Sequence, residues 1–329
     1  MMRSKPVEPS GSTGSLEADA DAPASVHEPA SEAVHAELVA VVISVRDEPM
    51  VLAAGRPIRL PAGPLRSDQP SLQNGVRDFA KEQTGQQLGH VEQLYTFADL
   101  GRTHEASRTI SISYLGLTRP SDDSGWLPLY TLLPWEDHRD PAASALAQTL
   151  RRRLSEWAQQ APRGEKSART ARADHLFGAG SQPWRPELAL QRYELLWEAG
   201  LVAESASAET CSEVESLTGE AMDVDHRRIV ATGLSRLRTT LQYRPVVFEL
   251  MPPMFTLGHL QAVVESLAGQ PMHKQNFRRV VEQQHQLVEP TDEIDHSTGG
   301  RPARLYRFRR EVFSERQQVG TKLPLPRPR

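Results

Sequence analysis

Near the C-terminus, Lys274, Gln275, Asn276, Arg278 and Arg279 fall within six positions of one another, and Arg301, Arg304 and Arg307 follow at every third position. Side chains of these types donate to base edges and to phosphate oxygens, so their chemistry is recognition of a polyanion. Charge distribution supports the same reading. From Asp223 onward there are 17 Lys and Arg against 11 Asp and Glu, a net of +6, while the preceding part carries −10 and the whole chain −4. A basic module of this kind draws double-stranded DNA by counterion release, with binding that weakens steeply as salt rises.

Two helices and a hairpin must position these groups. The first helix opens at Thr256, a residue suited to N-capping, carries Leu257, Leu260, Val263, Val264 and Leu267 at three-and-four spacing, and ends at Gly269 and Pro271. The second, HKQNFRRVVEQQ, turns Phe277, Val280 and Val281 inward, and at about 100° per residue Gln275, Arg278 and Arg279 face outward. A hairpin turning at Gly299 and Gly300 then carries Arg301, Arg304, Arg307 and Arg309 beside Leu305, Tyr306 and Phe308. Helix, helix and basic hairpin spell a winged helix-turn-helix, whose second helix enters the major groove. A winged helix that binds protein would not need the arginines.

The first half begins with strand-like ELVAVVISVRD at 37–47 and a second strand near Met50–Ala54. A Pro/Gly loop then leads to a helix from Ser71 to Gly85, and HVEQLYTFADL and RTISISYLGLT read as two more strands. The stretch 59–88 resembles a Nudix box, in which a Gly, a Glu six residues later and Arg-Glu-hydrophobic-x-Glu-Glu-x-Gly on a helix hold Mg²⁺. Leu60, Pro61 and Gly63 match its beginning, Ser71 and Leu72 its helix start, and Glu82, Thr84 and Gly85 its end. Its catalytic centre is altered. With Gly85 as the closing Gly, Glu82 keeps a carboxylate, but Gln83, Phe79, Asp78 and Gln69 replace the neighbouring Glu, the earlier Glu, the Arg and a further Glu. Aligning Arg77 and Asp78 with the Arg-Glu pair instead puts Lys81 in place of an acid. Diphosphate hydrolysis needs several carboxylates at helical spacing to hold Mg²⁺, and either register leaves too few. No catalytic residue and no metal site are therefore expected; the alternative is an active Nudix hydrolase with a regulatory winged helix.

The order of the two halves is similar to one family, the Nudix-related transcriptional regulators of NAD metabolism. Matching runs are LYTFADLGRT and ISYLGL, then DHRRIVATGLSRLRTTLQYRPVVFELMPPMFTLGHLQ, then KQNFRRVVEQ and GGRPARLYRF, covering about 37–135 and 222–310. The long N-terminal part and some 85 residues between the halves resemble the longer alphaproteobacterial branch of that group. The resemblance implies a repressor of NAD-biosynthesis genes whose degenerate Nudix domain senses ADP-ribose, NAD or ATP and requires no cofactor. It places the effector between the box helix and the strands ending near Phe97 and Tyr114, with Glu82 beside it and Arg66 and Arg108 for its phosphates.

The expected architecture is α+β: a Nudix-like α/β/α sandwich at 35–135, a helical insert at 136–221 and a winged helix-turn-helix domain at 222–313. Residues 1–34, rich in Ala, Ser, Pro and acids, and 314–329 read as flexible tails. Ahead of the winged helix, DVDHRRIVATGLSRLRTTLQY forms a helix capped by Asp225, with Ile229, Gly233, Leu234, Leu237 and Leu241 on one stripe. A symmetric repressor needs a self-complementary contact to place two recognition helices one DNA turn apart, so this stripe is expected to help form a homodimer. Asp223, Asp225 and His226 are of metal-binding types but read as caps. Within the insert, RRRLSEWAQQ and WRPELALQRYELLWEAGLV read as helices around a polar break at 162–182, with Leu188, Tyr193, Leu196 and Trp197 buried together. The single cysteine, Cys211, excludes an internal disulfide and suits a reducing cytoplasm. No segment is apolar enough for a membrane span or a signal peptide.

Overall fold

The computed structural model describes residues 34–99, 108–119, 125–205, 217–284, 287–295 and 302–309. The expected tails, the hairpin tip with Arg301, and Cys211 lie outside the described residues.

The first half forms around strand β1, His35–Val45, a run of aliphatic residues buried on both faces. It pairs in parallel with β5 (Thr109–Leu117) and antiparallel with β2 (Pro49–Leu52) and the short β3 (Ala62–Pro64). Strand β4 (His90–Phe97) joins β5, and β6 (Trp126–Pro128) joins β2, so the path runs β4-β5-β1-β2-β6 with β3 off to one side. Strands β3 and β6, three residues each, were too short to show a period in the sequence.

Side-chain alternation along β1 assigns each face a helix. Leu38, Ala40 and Val42 pack with Val76, Phe79 and Ala80 of α1, Leu72–Thr84. The Ser71 hydroxyl accepts from the Asn74 amide, and Gly85 ends α1 in the left-handed conformation, as its sequence predicts. Val39, Val41 and Ile43 face the other way, toward a long helix, His226–Tyr243. Gly233 allows that helix to lie close, since a Cβ there would come within 2.7 Å of Val41 Cγ1. The helix lies across β1, β4 and β5 and completes the α/β/α sandwich. Residues 226–243, expected within the DNA-binding half, thus form the sandwich's second helical layer, because their apolar stripe matches the open face of the sheet.

Residues 129–205 are helical, beginning with the short α2, Leu129–Leu132. Helix α3 (Pro141–Gln160) pairs with α4 (Lys166–Phe177), and α5 (Ala189–Glu198) lies on the long helix, here α6. Helix α4 occupies most of the stretch read from sequence as a polar break. Ala173, Leu176 and Phe177 supply its buried side, and Arg169 covers the Trp157 ring at 4.4 Å. Trp197, expected in the core beside Tyr193 and Leu196, is 47% exposed, because it follows the last buried residue of α5.

Beyond α6 come β7 (Met254–Thr256), α7 (Leu257–Ala268), α8 (Lys274–Arg278, continued by a wider π turn at Arg279–Gln284), β8 (Val288–Asp295) and β9 (Ala303–Phe308). The strands form a separate sheet in the order β7-β9-β8, the wing of a winged helix.

A buried ionic cluster ties the three parts together. Glu136, Arg192 of α5 and Arg238 of α6 are all fully buried. Arg192 donates to both carboxylate oxygens of Glu136, at 2.6 and 2.8 Å, and to the carbonyls of Leu176, Arg185 and Pro186. Arg238 also bonds the Glu136 carboxylate, and its Nε donates to the Leu267 carbonyl at the C-terminal end of α7 at 2.9 Å. Gly269 passes so close that a Cβ would lie 2.1 Å from the Glu136 carbonyl oxygen. Both arginines hold the Glu136 carboxyl below the usual range despite the opposing effect of burial. Removing one member of such a cluster leaves buried charge uncompensated. Glu136→Gln is expected to destabilise the fold by about 3–5 kcal/mol, read as a lower midpoint in urea unfolding; an unchanged midpoint would show the cluster to be dispensable.

Candidate effector cavity and nucleic-acid interface

A cavity of about 980 Å³ opens where the first turn of β1, the loop 53–64, the end of α1 and the start of α6 meet. Glu37, Arg59, Gln83, Asp223, Val224 and His226 lie on its wall. The loop is fastened to the start of α6 at several points. The Asp223 amide donates to the Ile58 carbonyl at 2.9 Å, Ile58 and Met222 form a parallel bridge, and Arg59 pairs with Asp223. The Leu60 amide donates to His226 Nδ1 at 2.9 Å, which fixes a neutral ring with its proton on Nε2. Burial holds the His226 pKa below its ordinary value. Between Asp223 and His226 the chain makes a tight turn in which Val224 adopts a φ of +45°, the left-handed region. For a β-branched residue this conformation costs on the order of 1–3 kcal/mol.

The altered box can be read directly. Phe79 stands where the motif has an acid, and its ring lies over Gly63, whose added Cβ would come within 2.4 Å of it. Gln83 is committed to Ala62, donating to the carbonyl at 2.7 Å and accepting from the amide at 3.2 Å. Glu82 is exposed, and no group of three or more metal-ligating side chains gathers among the described residues. A buried ring and an engaged amide do not fit the carboxylate-rich, open coordination that Mg²⁺ requires.

None of the five ligand residues expected by resemblance lines this cavity. Arg66 is exposed over the Phe79 ring at 5.3 Å, and Arg108 donates to the Ala98 carbonyl at 2.9 Å. Phe97 is buried under the Arg228 guanidinium at 5.2 Å, and Tyr114 is buried against α1, with its pKa raised by burial. The wall residues missed by sequence reasoning come from the loop after β2 and from the DVDH turn more than 160 positions away. Asp225 of that turn, expected to cap the helix, stands at the N-cap position without a side-chain cap hydrogen bond, and nothing local tied the turn to the loop. The expected dimer stripe also needs correction. Ile229, Leu234, Leu237 and Leu241 have no exposed surface, because they fill the core beneath the sheet of their own chain.

In the C-terminal part, the Thr256 hydroxyl caps α7 by accepting from the His259 amide at 3.0 Å. The turn into α8 is braced by Glu265, which accepts from the Met272 amide at 2.7 Å, and by Gln261, which donates to the Met272 carbonyl. Phe277, Val280 and Val281 are buried, leaving Lys274, Gln275, Asn276, Arg278 and Arg279 exposed together. On β9, Arg304 and Arg307 are exposed, Arg307 paired with Glu289, while Phe308 stacks on Phe248 at 4.1 Å. The Tyr306 hydroxyl donates to Glu282 at 2.9 Å and so joins the wing to the recognition segment. This arrangement displays hydrogen-bond donors on a fixed scaffold, as groove recognition requires.

Residues 247–308 match the model of the NrtR DNA-binding winged helix domain. A curated relative, the ADPR responsive transcriptional repressor NtrR of Acinetobacter baylyi, is 38% identical over 84 residues; the match spans 26% of this chain and 33% of the relative. The fold is similar to that of Shewanella oneidensis NrtR solved with a 27mer DNA: TM-score 0.50 at 20% identity, over 84% of this chain and 95% of that one. NrtR solved without DNA gives the same score at 19% identity, over 85% and 96%. The chain therefore has a Nudix-like sandwich joined to a winged helix, the latter matching the model of the NrtR DNA-binding domain over residues 247–308. No helix among the described residues is long and apolar enough to cross a membrane.

Two histidines, His226 buried and His138 half-buried, predict how stability depends on pH. His138, packed on the Trp184 ring at 3.9 Å, has its pKa lowered to about 4, chiefly by burial, and His226 is lowered for the same reason. The unfolded chain therefore takes up protons first, below about 6.5. Their contribution to stability is complete above that pH and is lost as pH falls, that of His138 through about 4. Urea unfolding at pH 7.0 and 5.0 is expected to show this loss, and His138→Gln to reduce it; a variant with the wild-type dependence would contradict the assignment.

Proposed function

We propose that this protein is a ligand-responsive repressor that binds operator DNA of NAD-biosynthesis genes through its winged helix and senses ADP-ribose in the Nudix-like domain. The observation that carries this reading is the braced recognition segment, with Lys274, Gln275, Asn276, Arg278 and Arg279 exposed together, inside a domain matching the NrtR winged helix. Support for the ligand comes from the relative named as ADPR responsive and from a cavity of a size suited to a nucleotide. NAD and ATP share the adenine nucleotide part and compete as effectors. The protein acts in the cytoplasm as a homodimer whose contact lies outside the α6 stripe, since two half-sites require two recognition helices.

The altered box points to sensing in place of hydrolysis. Phe79 and Gln83 take positions where hydrolysis needs carboxylates, and Asp223 and His226 on the cavity wall are committed to the loop that forms it.

Anisotropy titrations with promoter DNA of an NAD-biosynthesis operon, against scrambled DNA, test the DNA-binding reading. Arg278→Ala is expected to weaken operator binding by about 1–3 kcal/mol, roughly 5- to 150-fold, if the side chain meets a base. Equal, weak binding to both DNAs by the wild-type protein would overturn the assignment. Calorimetry should give saturable heat with ADP-ribose, and incubation with Mg²⁺ should release no AMP above a protein-free blank. Turnover would return the domain to the hydrolases.

A further inference from the structure

Helix α6 begins on the cavity wall and runs to the winged helix. Its 18 residues span about 27 Å. At the start, Val224 and His226 line the cavity, and the Asp223 amide, Arg59 and His226 Nδ1 fasten the turn to loop 53–64. Toward the far end, Arg238 bonds the Leu267 carbonyl, the last turn of the first helix of the winged domain, and shares Glu136 with Arg192 of the insert. In its first turn the helix is also held by two arginines. Arg227 bonds Glu204 and the carbonyls of Thr218 and Glu220, and Arg228 bonds Glu194 and Asp99. An α-helix is stiff along its axis, and the strained Val224 stands two residues before its start, on the cavity wall. Val224 is the only non-glycine residue with positive φ among the described residues.

We propose that the Asp223–His226 turn is a built-in switch: a ligand filling the cavity lets Val224 leave its left-handed conformation, and α6 carries the displacement through Arg238 to Leu267 and the winged helix. The strain at Val224 favours release once a ligand offers other contacts to loop 53–64 and to the Asp223 and His226 side chains. Val224 is thus a positioning residue that acts on DNA binding through α6. This inference rests on the reading that the cavity takes ADP-ribose.

Val224→Gly tests it, because glycine adopts positive φ freely and has no strain to release; Val224→Ala, which keeps part of the cost, is the control. Two measurements on the full-length proteins separate the switch from the ligand reading. In the first, operator affinity is measured with and without saturating ADP-ribose, and ADP-ribose binding is measured separately by calorimetry. Wild type is expected to change operator affinity at least about fivefold on binding ADP-ribose. Val224→Gly should still bind ADP-ribose but retain a change of less than about half the wild-type ratio, with Val224→Ala between the two. Full coupling in Val224→Gly overturns the switch.

The second measurement needs no ligand. Hydrogen exchange of the ligand-free proteins should differ between wild type and Val224→Gly at 223–230 and also at 266–269, where α6 meets the winged helix. A difference confined to 223–230 overturns the relay whether or not ADP-ribose binds. Absence of ADP-ribose binding in wild type, beside a difference that reaches 266–269, would leave the relay standing and overturn the choice of ligand.

Discussion

One carboxylate holds the three parts of this protein in register. Glu136 lies fully buried between Arg192 of the insert and Arg238 of α6, and Arg238 also donates to the Leu267 carbonyl at the end of α7. Ionised groups so far from water persist only when each is fully satisfied, and the two guanidiniums divide their donors between Glu136 and backbone carbonyls. The interaction is directional as well as strong. Two planar forks meeting one carboxylate admit few arrangements, so the orientation of each helix is set by the others. Hydrophobic packing could hold the same elements together, but it would fix their relative rotation less tightly.

The central strand imposes the second constraint. Strand β1 is buried on both faces, so it must be covered on both, and the chain supplies α1 from nearby in sequence and α6 from far beyond the insert. This places the start of α6 against the loop that follows β2 and closes the cavity from two distant segments. The stripe on α6 that would have suited a dimer is used up in completing this layer. A single apolar face can serve one partner only, and here the sheet takes it.

Where the box motif has carboxylates, this helix carries residues that hold the loop beside it. Phe79 packs on Gly63 and under Arg66, and Gln83 clamps the Ala62 backbone, so the box helix now holds the cavity loop by packing and hydrogen bonds. A charged cluster of acids would need a metal to be tolerated there; a ring and an amide do not. The site is consistent with a protein that binds a ligand and reports it through the elements fastened to the loop.

Much of this was legible in the sequence because it is written in local patterns. The aliphatic run of β1, the Ser71 and Thr256 caps, the inward Phe277, Val280 and Val281 and the outward Arg278 and Arg279 follow from spacing alone, and the structure places them as read. What failed depended on which distant surfaces meet. The stripe of Ile229, Leu234, Leu237 and Leu241 looked the same whether it would face a second copy or its own sheet, and α4 looked polar until α3 covered Ala173, Leu176 and Phe177. Arg66 and Arg108 have the chemistry to bind phosphate, but the fold turns them to Phe79 and to Ala98, while Asp223, Val224 and His226 reach the cavity from beyond the insert. Sequence by itself determined the longer strands of the sandwich, the helices capped by Ser71 and Thr256 and the exposed basic face of α8, because each is set by neighbours within a few residues. Tertiary structure alone decided what α6 buries and which side chains enclose the cavity, because burial is a competition among surfaces that the chain brings together only on folding.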